Sequence, residues 1–91
     1  MIPNALPYLN LQATGFNIKN LRKKNGYTVR DLQNIFRFNE PQSIYKWQRG
    51  ECLPTVENLL VLSRLFNISI EGILVYDEVP FHLIEILLIY H

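Results

Sequence analysis

The sequence predicts an all-α domain of five helices, on three observations. Two short helical stretches flank a tight turn between Tyr27 and Gly50, apolar residues recur at helical spacing after Thr55, and Gly or Asn stands at the expected stops. The first helix is expected from about Gly15 to Asn25 after a Thr14 cap, burying Phe16, Ile18 and Leu21 and ending at Gly26, which enters the left-handed region without a Cβ penalty. The second is expected over Val29 to Phe36. Its cap is a shortened capping box, in which the Thr28 hydroxyl accepts an amide hydrogen and Asp31 reaches back.

The third helix is expected from Pro41 to Arg49, because proline suits a first turn that needs no amide hydrogen and Gly50 stops it. The fourth opens with Thr55 as cap and Glu57 near its positive end, presents Val56, Leu59, Leu60, Leu62, Leu65 and Phe66 to the core, and stops at Asn67. The fifth begins at Ser69, carries Glu71 in its first turn, and buries Ile70, Ile73 and Leu74. These helices define a domain over residues 15–76. It lies between an extended N-terminal segment, 1–14, and an apolar tail, 77–91.

A pair of short helices whose second member is free to lie in a major groove is a helix-turn-helix DNA reader. At 100° per residue, Ile44 and Trp47 define the inward side of the third helix; Gln42 and Arg49 fall nearly opposite, Tyr45 and Lys46 flank them, and Ser43 sits at the edge. That outer face suits direct readout, since Gln bonds adenine in bidentate fashion, Lys donates to guanine and a tyrosine ring touches a thymine methyl. The expected base contacts are therefore Gln42, Ser43, Tyr45 and Lys46, with Arg49 at a phosphate. Trp47 reads as core, and Tyr45 serves equally well as a cover for the neighbouring helix.

Charge is segregated along the chain. Residues 16–50 hold eight of the nine Lys and Arg residues against Asp31 and Glu40, a local balance of +6 within an overall +1, so the remainder carries −5. A positive field around the helix pair is where phosphates would sit, although a solvated charged face has the same composition. Arg22, Lys23 and Lys24 also complement the dipole at the end of the first helix.

Other classes find little support. The single Cys52 forms no disulfide framework or zinc site, His82 and His91 lack ligand partners at metal spacing, and no nucleophile, base and orienting group can be assembled. An enzyme, a cofactor and a small-molecule ligand are not expected. The apolar runs near the C-terminus are interrupted by Glu85 and too short to span a bilayer, and the N-terminus lacks a signal-peptide pattern, so a cytoplasmic protein is expected.

Ile18-Lys19-Asn20-Leu21-Arg22, Tyr27-Thr28 through Leu32, Ile44 through Gly50 with Trp47, and Leu53-Pro54 occur in order and at set spacing, followed by two Leu-rich helices. From Asn17 to Leu74, about two thirds of the chain, this pattern resembles the lambda-repressor-like or Xre family of prokaryotic and phage regulators. The resemblance implies a five-helix DNA-binding fold, base reading by Gln42 and Lys46 first, and phosphate contacts from Arg22 or Lys23; Arg30 is a further expected phosphate contact. It also exposes departures. Val29 stands where relatives carry a phosphate-anchoring Gln, Gln33 where they favour Ala, and Arg37 where they favour a Gly for the left-handed turn. Glu40, at the lip of the third helix, reads as a cap or an anti-determinant.

The expected function is thus sequence-specific double-stranded DNA binding by a transcriptional regulator of the repressor kind, acting as a homodimer. The alternative is a protein-interaction module of the same fold, antitoxin-like or a regulatory partner, with weak or no DNA binding. The tail after Glu78 is too apolar for a surface helix and is expected to be covered by its own domain or by a second copy.

Overall fold

The computed structural model describes residues 3–89, so Met1, Ile2, Tyr90 and His91, including the tail's final Tyr90 and the His91 considered above as a metal ligand, lie outside the described residues. In chain order the elements are β1 (Ala5–Leu9), α1 (Leu11–Lys24), α2 (Val29–Phe36), α3 (Gln42–Arg49), α4 (Val56–Phe66), α5 (Ile70–Ile73), β2 (Tyr76–Pro80) and α6 (Phe81–Ile89). The expectation of an all-α fold is therefore corrected: six helices are joined by a two-stranded antiparallel sheet. The N-terminal segment and the start of the tail, each without a partner when considered alone, pair with one another. Ala5 lies opposite Pro80, Pro7 opposite Glu78 and Leu9 opposite Tyr76.

That ribbon also changes where α1 begins. Its cap is Asn10, whose side chain accepts from the Ala13 amide at 2.9 Å. Thr14, the expected cap, is instead fully buried inside the helix. Its hydroxyl donates to the Val75 carbonyl at 3.2 Å and accepts from the Val75 amide at 2.8 Å, which ties α1 to the entry of β2. Asn17 adds a second tie, donating to the carbonyls of Gly72 and Ile73 at 3.0 and 2.9 Å.

The core is one cluster of Ile18, Leu32, Ile44, Trp47, Leu59, Leu62, Phe66 and Ile73, to which all five expected helices contribute. Phe36 and Phe38 stack at 5.3 Å, and both meet the Trp47 ring edge to face at 5.5 and 5.9 Å. Three expected core residues are exposed, Phe16 at 65%, Val56 at 71% and Leu60 at 53%. Phe16 lies two positions from Ile18, hence on the opposite face of α1, and Val56 and Leu60 fall beyond the Leu59, Leu62, Phe66 stripe.

Gly15 and Gly50 bring α1 and α3 together more closely than any side chain would allow. A Cβ on Gly15 would stand 2.7 Å from the Gln48 carbonyl oxygen and closer still to that of Trp47. Gly50 takes φ +73° to end α3, and a Cβ there would lie 2.7 Å from the Gln12 Cα. The orientation of α3 is therefore set by backbone contact with α1.

Candidate nucleic-acid interface

The second helix is fixed at its start by reciprocal hydrogen bonds. The Asp31 amide donates to Thr28 Oγ1 at 3.0 Å, and the Thr28 amide donates to Asp31 Oδ2 at 2.8 Å, completing the expected capping box. The bond from the Thr28 backbone, then the one from its side chain, hold the Asp31 carboxyl below its ordinary value of 3.8. Because the native value is the lower one, this contribution is present above pH 3.8 and is lost as pH falls through the lowered value.

The turn that follows aims α3. Arg37 adopts φ 57° and ψ 38°, a left-handed conformation costing about 1 kcal/mol in a residue with a Cβ. Gln33 compensates: its Nε2 donates to the carbonyls of Asn39 at 3.2 Å and Phe38 at 3.4 Å, closing the turn that Arg37 strains. Pro41 occupies the cap position just before α3, and its carbonyl accepts from the amides of Ile44 and Tyr45 at 3.1 and 3.2 Å. No side chain caps this helix, so of the two roles expected for Glu40, cap or anti-determinant, the first is not formed. It lines an open polar concavity of about 560 Å³ with Arg37, Asn39, Gln42 and Ser43.

On α3 itself Ile44 and Trp47 are buried, while Gln42, Ser43, Tyr45, Lys46 and Arg49 face solvent. Gln42, Tyr45, Lys46 and Arg49 fall within an arc of about 100°, a continuous polar and aromatic strip along the helix. Lys23 and Arg30 are exposed on the neighbouring helices. Arg49 donates through Nε to Glu51 in a surface ion pair, which screens part of its charge.

Arg22 is placed differently from its exposed neighbours. Only 8% of it is accessible; Nε donates to Gln48 Oε1 at 2.9 Å and Nη1 donates to the Tyr27 carbonyl at 2.8 Å. It joins α1, the α1–α2 turn and α3 in a charge-assisted bridge, a role that its place in a run of basic residues concealed. Gln48, the acceptor of that bridge, was likewise not singled out from the sequence, nor were Gly15, Asn17 and the ribbon. The isolated glycine inside a helical pattern was the available signal for the close crossing.

Among the described residues no group of three metal-ligating side chains forms, and no helix is long and apolar enough to cross a membrane.

No protein-family model matches the chain, and no curated protein matches it. Solved structures similar in fold include a crystal structure of the DNA-binding domain of BldD and the S. venezulae BldD DNA-binding domain. Each gives a TM-score of 0.59 over 71% of this chain, covering 93% and 96% of those chains, at 15% sequence identity. The likeness is one of fold.

Proposed function

We propose that this chain is a sequence-specific double-stranded DNA-binding protein of the lambda-repressor-like kind, a cytoplasmic transcriptional regulator that lays α3 in the major groove and represses by occupying its site as a homodimer. The observation that carries the reading is the outer face of α3, where Gln42, Tyr45 and Lys46 stand free in solvent while Ile44 and Trp47 lock the opposite face into the core. The fold shared with two DNA-binding domains supports the same placement.

In this reading Gln42 and Lys46 read adenine and guanine edges, Tyr45 touches a thymine methyl, and Ser43 reaches the edge of the contacted step. Lys23, Arg30 and Arg49 meet phosphates, Arg49 exchanging Glu51 for a phosphate oxygen. Arg22, given to a phosphate by the family resemblance, acts instead by bracing α3 through Gln48. Val29, lacking a side-chain donor, contributes only its amide at the start of α2.

A salt titration of duplex binding tests the proposal. Each neutralised phosphate adds about 0.9 to the slope of log affinity against log salt, so three or more contacts give a slope of roughly −3 or steeper. Affinity that stays flat with salt, or no duplex binding at low salt, overturns the reading in favour of a protein-interaction module.

A further inference from the structure

α6 leaves its apolar side chains uncovered. Leu83, Ile86 and Leu87, spaced as one helical stripe, are 44%, 46% and 64% exposed, and Leu88 and Ile89 are exposed as well. Glu85 lies about 100° or more from every member of that stripe, while His82, four residues before Ile86, flanks it. Beside α6, Leu6, Pro7, Tyr8, Val79, Ile84 and Leu87 line an apolar groove of about 340 Å³ between the helix and the ribbon. The ribbon and α6 also extend the molecule. Its principal extents are 46 × 25 × 20 Å, and its radius of gyration is 15.7 Å, against about 12 Å for a compact chain of this length.

We infer that this surface is the seat of a second copy of the same chain, with the Leu83, Ile86, Leu87 stripes of two α6 helices packed across a two-fold axis. Three observations select that occupant. On the face shared by the stripe and the groove, the exposed parts of Leu83, Ile86, Leu87 and Tyr8 amount to on the order of 500 Å² per copy, so two copies together reach the ~1,000 Å² at which a specific interface begins. From Tyr76 to Ile89 the charges are Asp77, Glu78 and Glu85 with no Lys or Arg, which disfavours anionic lipid and nucleic acid as occupants. A two-stranded ribbon needs packing against a helix to be stable in water, and the helix beside this one, α6, is itself uncovered until a second copy packs on it. The stripe is apolar along its length, so two copies of it can meet across the two-fold axis of an isologous contact.

The partner named here is the one the DNA reading invokes, yet its association is measured with no DNA present. Light scattering and sedimentation from 1 to 100 µM (on the order of the range in which such interfaces assemble) should give a dimer mass for the natural chain. The double variant Leu83→Glu, Ile86→Glu should give half that mass with an unchanged helical circular dichroism spectrum. In a Cys52→Ser background, Ile86→Cys should form an intermolecular disulfide on oxidation, while Val56→Cys, exposed on α4, should not. A natural chain that stays monomeric, a double variant that stays dimeric, equal cross-linking at both cysteines, or a monomer that floats with phosphatidylcholine vesicles overturns the inference. A dimer that ignores DNA sinks only the functional proposal; a monomer with salt-dependent duplex affinity sinks this inference and the homodimer of that proposal, and leaves its DNA binding standing.

Discussion

Side chains of similar chemistry divide by what holds them. Lys23 and Arg22 are consecutive cations, yet one is exposed and the other is buried and bridged to Gln48 and Tyr27. Only the first can move to a phosphate without cost, whereas freeing Arg22 would strand the Gln48 acceptor and loosen α3. Gln42 has no such internal duty and belongs with the readers. Gln42→Ala is therefore expected to lose about 1 to 3 kcal/mol at one base and relax preference there, while Lys23→Ala weakens all sequences alike. Selection from random duplexes checks this, and an unchanged sequence preference for Gln42→Ala would place α3 outside the groove.

Helices were legible wherever their ends are written locally. Thr28 with Asp31, Thr55, Ser69 and the left-handed Asn67 each act within one turn, so α2, α4 and α5 stand where the sequence places them. The ribbon was not legible, because its strands lie at opposite ends of the chain and neither shows a partner nearby. Thr14 misled for a related reason: a hydroxyl that resembles a cap is engaged by Val75 from the far side of the domain. The α1–α3 crossing is a property of the element pair and gives a sharp sign test. On helix propensity alone Gly15→Ala would stabilise α1 by roughly 1 kcal/mol, but the added Cβ would collide with the backbone of α3. Overpacking of that kind costs about 1 to 3 kcal/mol, so net destabilisation is expected in urea unfolding. Gly26→Ala is the control, since its φ of +79° is strained by a side chain but nothing lies within 4 Å. Stabilisation by Gly15→Ala would mean that the two helices do not meet as closely as their carbonyl contacts require.

At the scale of the molecule, the chain separates two kinds of surface. The +6 segment surrounds the α2–α3 pair, while the ribbon and α6 carry Asp77, Glu78 and Glu85 and no Lys or Arg. Such a layout holds the second-copy surface off a phosphate backbone and leaves both α3 helices of a pair free to face the same side of a duplex. The relation between the two is then rigid rather than tethered, because α6 follows β2 directly and β2 is tied to α1 through Val75. In a dimer paired through α6, the distance between half-sites is expected to be one helical turn, about 34 Å, or a multiple of it. Inserting about five base pairs between half-sites turns the second one to the far face of the duplex. For the natural chain, affinity should fall by about 100-fold or more, toward that of a single half-site, because the second contact ceases to be intramolecular. The Leu83→Glu, Ile86→Glu variant should bind both spacings equally and weakly. A natural chain indifferent to the insertion would mean that its DNA-bound copies are not held by α6, whatever their mass in free solution.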